Sequence, residues 1–416
     1  MKKSKCYILL VGLIFGGITP CISQEPDTLV QNLINQVSDS LYTNSVQRLQ
    51  DFYTRYQLSD SIGPAGEWIY DQFIEFGYTD VVFDSFTWTQ PQCEMPHVGR
   101  NIIATKIGNG SSDSLVILGG HYDSINAMSL DPNYPAPGAD DNGTGVAGVL
   151  EIARLLEPYS FEKTIVFACF AAEEVGLEGS SDYSVKLLIQ GIPVRFSCIV
   201  DMVGYKSAYW IKKFIIDTEM DYVNDALRTA QMVWTYSLRL APVIEFHFNA
   251  SDHWPLGHRG PALLLMEGEG NPMGHTEWDV LDSLDIPYAT EITKVALASV
   301  VDVAGFDLVG IESSDQEGKT LVPRALVLYQ NHPNPFNPTT TISFDVPEER
   351  QHMKLTVYDL RGRHVKTLID SEIEPGNHKV VWDGRNDSGA RTPSGVYFYQ
   401  LTHSGKSHTK KMILLK

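Results

Sequence analysis

The sequence predicts an α/β fold, a mostly parallel mixed sheet sandwiched by helices, followed by a small all-β sandwich. Three observations carry that expectation. Residues 165–170 form an apolar run of β-branched and aromatic residues, as a strand buried on both faces reads, and the run leads into the pair Glu173-Glu174. Similar runs alternate with stretches of helical spacing as far as residue 304. Beyond a polar stretch at 310–322, read as a linker, the pattern changes to short alternating runs divided by turn clusters.

In chain order, Lys2, Lys3 and Lys5 precede an apolar run at 6–18, the pattern of a secretory signal peptide over 1–23. Pro20 ahead of Cys21 makes a poor lipoprotein box, and no later run is long enough to span a membrane, so no membrane anchor is expected. Leu29 and Leu33, then Val46 and Leu49, then Ile69, Phe73 and Phe76 recur at helical spacing, the last series closed by Gly77. Strands are expected at 81–88, 101–107, 115–118, 165–170, 196–201, 211–217, 243–248 and 262–266, and helices at 146–156, 222–234 and 289–304. In the tail, strands are expected at 341–346, 354–358, 379–382, 396–401 and 409–415. The resulting division is 1–23 signal, 24–310 α/β domain, 311–325 linker and 326–416 β-sandwich.

The charge is uneven: the formal net is −19, with −24 in residues 24–310 and +3 in 326–416. Such acidity makes nucleic acid a poor partner and suits a secreted or cell-surface protein that binds cations. Past the signal only Cys93, Cys169 and Cys198 remain, which is no disulfide framework. Cys169 and Cys198 fall in expected buried strands and read as packing residues.

Ligands of open α/β sheets bind beyond the carboxyl ends of the strands. Those ends carry His121 and Asp123, then Glu173-Glu174, then Asp201, with Asp140-Asp141-Asn142-Gly143 opening a helix and His275 in the loop after 266. Taken singly, each has an ordinary explanation: a structural histidine, a turn, a helix cap or a solvated loop. Together, two imidazoles and several carboxylates at successive strand ends suit zinc in an open, catalytic site, since no cysteine is available for a closed structural one.

These stretches resemble the M28 family of co-catalytic zinc peptidases, in its bacterial aminopeptidase branch, over roughly residues 39–304. The match is carried by GRNIIA from Gly99, GGHYDS from Gly119, PGADDNGTG from Pro137, Glu173-Glu174, Asp201, SDH from Ser251 and NPMGHT from Asn271. The resemblance implies a zinc-peptidase fold and two Zn2+. One ion is expected on Asp141, Glu174 and His275, the other on His121, Asp141 and Asp201, with Asp141 as the bridge. Glu173 is expected to be the general base, and Asp123 an acceptor for the His121 ring N–H. His253 is not expected to be a ligand. The implied activity is removal of N-terminal residues from peptide or protein substrates. Glutaminyl cyclisation, carboxypeptidase action and a non-enzymatic binding role are the alternatives. The DNGTG loop favours two metals, whereas the cyclases use one, and the intact ligand set disfavours a dead enzyme.

The tail resembles the FlgD-like, immunoglobulin-type carboxy-terminal domains of exported bacterial proteins. PNPFNP from Pro333, SGVYFY from Ser394 and the terminal KKMILLK carry that likeness. It implies recognition by the type IX secretion machinery and passage across both membranes; an adhesive sandwich is the alternative.

Overall fold

A computed structural model describes residues 26–89, 96–110, 113–129, 131–205, 212–246, 250–306, 327–328, 331, 334, 336–346, 350–403 and 406–415. The expected signal, the expected linker and Cys93 lie outside these residues. The chain divides into two compact units, Met1–Val309 and Gly310–Lys416.

Helices α1 (Thr28–Ile34), α2 (Asp39–Gln50) and α3 (Ile62–Phe76) open the first unit. Asp27 and Ser38 cap the first two through their side chains, and Gly77 ends the third in the left-handed conformation at φ 111°. An edge hairpin follows, β1 (Val81–Trp88) and β2 (His97–Lys106), then β3 (Leu115–His121), α4 (Gly143–Leu156), β4 (Thr164–Phe170), α5 (Glu178–Gln190) and β5 (Val194–Val200). The unit is completed by β6 (Lys213–Thr218), α6 (Val223–Thr235), β7 (Ala241–Phe246), α7 (His253–Gly257), β8 (Ala262–Glu267) and α8 (Ile286–Ala304).

The strands form one eight-stranded sheet in the order β1-β2-β4-β3-β5-β8-β6-β7. Its centre, β4-β3-β5-β8, is parallel. The hairpin joins antiparallel to β4 on one side, and β6 joins antiparallel to β8 on the other. Helices cover both faces, as expected. Alternation along β3 shows the layering: Val116 and Leu118 join the large core with α2, α4 and α8, while Ile117 joins the smaller core with Leu187 of α5 and Leu256 of α7.

α4 begins three residues before its expected start. The Asn142 side chain accepts from Gly145 N at 2.8 Å, so the cap lies ahead of the Gly-Thr-Gly turn signal. Gly145 is required there: a Cβ would stand 2.1 Å from Val200 O. α5 and α7 were not expected. The buried face of α5 is Gly179, Ser180, Ser184 and Leu187, too small and polar to register as an apolar stripe, and α7 has only five residues.

The second unit is built from β9 (Val327–Leu328), β10 (Thr340–Val346), β11 (Gln351–Asp359), β12 (His364–Ile373), β13 (Gly376–Trp382), β14 (Gly395–His403) and β15 (Lys406–Leu414). They form sheets β13-β10-β9 and β12-β11-β14-β15, whose shared core includes Trp382, Phe344, Leu355 and Tyr399. β12 was not expected: it is an edge strand exposed or half-exposed along its length, so it lacks the in-out alternation that marks a half-buried strand.

Candidate metal centre

The carboxyl ends of the parallel strands converge on one place. β3 ends on His121; Glu173 and Glu174 follow β4, Asp201 follows β5, and the loop after β8 brings His275. Asp141 arrives on the loop that opens α4.

Asp141 sits between the two imidazoles. Its Oδ1 lies 3.3 Å from His121 Nε2 and its Oδ2 3.0 Å from His275 Nε2. His121 Nε2 is also 3.3 Å from Asp201 Oδ1, and His275 Nε2 is 2.9 Å from Glu174 Oε2. The candidate donor atoms of His121, Asp141 and Asp201 all fall within 4.8 Å of one another, as do those of Asp141, Glu174 and His275. These are the two triads the family resemblance implied, sharing Asp141. Glu173 stands beside them, its Oε2 3.9 Å from His121 Nε2, and with Glu174 and His121 it makes a third possible grouping.

The cluster carries more acid than its imidazoles can balance. Burial alone would raise the Asp141 carboxyl, but hydrogen bonds from His121 and His275 reverse that and hold it well below the usual carboxylate range. Burial, then the Asp141 charge, pushes Glu174 up to about 8. Burial also raises Glu173 well above its ordinary value. Burial opposes a charged His121, yet Glu173 and Asp201 outweigh it and hold the imidazole high; His275 is held at about 11, chiefly by its hydrogen bonds to Asp141 and Glu174.

An excess of buried carboxylate of this kind marks a place that a divalent cation fits. Glu174 Oε1 is buried with no hydrogen-bond partner, and the donors are nitrogen and carboxylate oxygen, which zinc accepts. Thiol chemistry is disfavoured, because Cys169 and Cys198 are buried and burial pushes the Cys198 thiol up to about 12.

Asp123 faces the His121 ring through its backbone: Nδ1 lies 3.1 Å from the Asp123 carbonyl, and 3.6 Å from its carboxylate. The carboxylate is committed elsewhere: it accepts from Glu173 N at 3.1 Å and Glu174 N at 3.2 Å. A carbonyl can only accept, so Nδ1 donates to it and Nε2 is left to face the cluster.

Further side chains hold the ligands. Ser251 Oγ donates to Asp201 Oδ2 at 2.7 Å, and Asn142 Nδ2 donates to Val200 O at 2.9 Å beside it. The next residue, Asp252, is buried, and burial pushes its carboxyl up to about 7. His253 Nε2 lies 3.8 Å from Asp217, and among the described residues His253 joins no candidate cluster. Sequence reasoning missed Arg55 and Asp279. Arg55 is fully buried and donates to Tyr122 O, Leu49 O, Pro137 O and Gly138 O. Asp279 accepts from Asp140 N and Asp141 N. A lone arginine or aspartate in a loop gives no local signal of such a role.

Comparison with known proteins identifies the two parts of the chain. Residues 101–300 match Peptidase family M28, and residues 331–407 match the FlgD Ig-like domain. A probable zinc metalloprotease of Pyrenophora teres f. teres is 33% identical over 199 residues, covering 44% of this chain and 43% of that protein. A probable aminopeptidase of Saccharomyces cerevisiae is 28% identical over 297 residues, covering 67% of this chain and 76% of that protein. The match thus spans less than half the length of the fungal metalloproteases. Among solved structures, the Legionella pneumophila LapA aminopeptidase superimposes with a TM-score of 0.56 at 23% identity, over 66% of this chain and 74% of that one. A leucine aminopeptidase precursor from Bacteroides thetaiotaomicron gives 0.56 at 20%, over 64% and 97%. With the matched sequence and the shared fold on the same unit that gathers these ligands, the chain carries a peptidase family M28 domain over residues 101–300, followed in sequence by a FlgD Ig-like domain over 331–407.

Proposed function

We propose that the protein is a secreted zinc aminopeptidase that holds two Zn2+ and removes N-terminal residues from peptides. The observation that carries this reading is the pair of triads sharing Asp141. His121, Asp141 and Asp201 would hold one ion, and Asp141, Glu174 and His275 the other. When bound, such ions supply an activated water and polarise the scissile carbonyl. Glu173 is the general base. It takes the proton of the attacking water as the oxygen–carbon bond forms, and returns it to the amine as the carbon–nitrogen bond breaks. Burial raises its pKa above the ordinary carboxylate range, the direction that favours holding the proton between the two steps. Asp123 orders both residues of the Glu pair through their backbone N–H groups. The FlgD Ig-like unit is the export signal, read by type IX secretion machinery, and the basic, apolar start of the chain is the inner-membrane signal. Among the described residues no helix is long and apolar enough to cross a membrane.

Elemental analysis of purified protein, paired with hydrolysis of aminoacyl nitroanilides, tests the reading. Two zinc ions per chain and cleavage that stops when the substrate α-amine is acylated are the expected results. No bound metal, with no activity gained on adding zinc, refutes it. Cyclisation of N-terminal glutamine without amide hydrolysis, or release of C-terminal residues, reassigns the activity.

A further inference from the structure

Asp279 is buried in the loop that carries His275, four residues after it, yet among the described residues it belongs to no candidate ligand cluster. Its oxygens accept two consecutive backbone N–H groups, Oδ1 from Asp140 at 3.0 Å and Oδ2 from Asp141 at 3.0 Å. Its backbone carbonyl takes a third, from Ala139 at 3.0 Å, and Asn271 Nδ2 reaches both Asp140 Oδ2 at 3.0 Å and Asp279 Oδ1 at 3.3 Å. The carbonyl side of the same loop is held by Arg55, through Pro137 O and Gly138 O.

The arrangement repeats at the other acidic pair, where Asp123 accepts from the consecutive N–H groups of Glu173 and Glu174. Two adjacent amides on one carboxylate fix the orientation of the peptide plane between them, and so the direction in which the second side chain leaves. Burying a carboxylate is costly unless its oxygens are satisfied. Asparagine could not replace it, because an amide offers one accepting oxygen and would turn its own N–H groups toward the second amide.

We propose that Asp279 is a positioning residue for Asp141, and that Asp279 and Asp123 are matched carboxylate clamps that set the bridging ligand and the Glu173-Glu174 pair before metal arrives. Because Asp279 shares its loop with His275, one loop supplies a ligand to the cluster and fixes another. The inference rests on the two-metal reading for its consequence, but its geometry belongs to the chain alone.

The test is Asp279→Asn in the full chain, with Asp282→Asn, an exposed acid nearby, as the charge-matched control. Zinc affinity is measured by competition with a chromophoric chelator, and amide exchange of fragments covering residues 137–143 is followed without metal. Asp279→Asn should weaken zinc binding by about 10–100-fold and speed exchange at those amides, while the control changes neither. An affinity within about twofold of the unsubstituted protein overturns the proposal. If the variant does not fold, exchange in the unsubstituted metal-free protein decides: protected amides at Asp140 and Asp141 support the clamp, and fast exchange overturns it. If the unsubstituted protein holds no zinc, the two-metal reading falls, and the same exchange measurement judges the positioning claim by itself.

Discussion

Replacing Arg55 by methionine keeps an unbranched stem and removes the guanidinium. The side chain is fully buried, and its donors reach four carbonyls: Tyr122 O at 2.7 Å, Leu49 O at 3.0 Å, Pro137 O at 2.6 Å and Gly138 O at 2.8 Å. Methionine donates nothing, so four carbonyls lose a partner. Gly138 O and Leu49 O keep backbone donors in Gly143 N and Phe52 N, so each lost bond is counted at the net worth of a buried hydrogen bond, about 1 kcal/mol, and the loss is about 4 kcal/mol. Relief from burying a cation offsets part of this, while the charges of Asp279, Asp123, Asp141 and Glu174, which favour the guanidinium, work the other way. A net destabilisation of about 3–4 kcal/mol follows, or about 10 °C at 2–4 °C per kcal/mol for a unit of this size. Thermal unfolding of the metal-free protein measures it. Arg55→Lys should recover only part, since one ammonium cannot reach all four acceptors. A fall below about 2 °C for Arg55→Met would show that the carbonyls find other partners and that the loop does not depend on Arg55.

Glu173→Gln should keep both metals and lose most turnover, whereas Glu174→Gln should lose metal; equal metal loss in both would refute the division of roles, read by elemental analysis beside kcat. Gly145→Ala should abolish soluble folded protein or metal binding, because its Cβ would lie 2.1 Å from Val200 O; circular dichroism and zinc content report it. Burial raises Asp252 from 3.8 to about 7 in the folded chain. The folded state therefore keeps a proton that the unfolded chain gives up above pH 3.8, so this contribution to stability declines as pH rises and is gone above about 7. Asp252→Asn should flatten that slope in metal-free melting curves between pH 5 and 8, and an unchanged slope refutes the assignment. A chain ending at Val309 should hydrolyse substrate with near-native kcat, and in its host should stay in the periplasm; normal export of the truncated chain would remove the sorting role.

The fold was legible wherever burial is two-sided or periodic. The central strands read directly because a parallel strand covered on both faces is apolar throughout, as residues 165–170 are. The candidate ligands were legible because each is a metal-binding residue type at or beyond a strand end, His121, Glu174 and Asp201 beside apolar runs and Asp141 and His275 in the loops that follow. α5 was not, since its buried face is mostly small and polar, nor was β12, which pairs along one edge only. The supporting residues were hidden for another reason. Arg55 and Asp279 act on backbone atoms far along the chain, Arg55 on Gly138 and Asp279 on Asp141, and backbone partners leave no residue-type signature. The partners of the Asp123 carboxylate were hidden on the same ground: they are two amides, which the sequence does not spell.

The five candidate ligands enter the chain at residues 121, 141, 174, 201 and 275, so each is at least 20 positions from the next. No short loop can chelate zinc before the sheet closes, and gathering even three of these side chains in an unfolded chain carries the full entropy of closing long loops. Zinc therefore has little hold on the unfolded polypeptide, and its binding energy goes almost undiluted into favouring the native state. Under the proposed function the chain would fold first and take up zinc afterwards, and the zinc level that would matter to it is that of the compartment where folding ends.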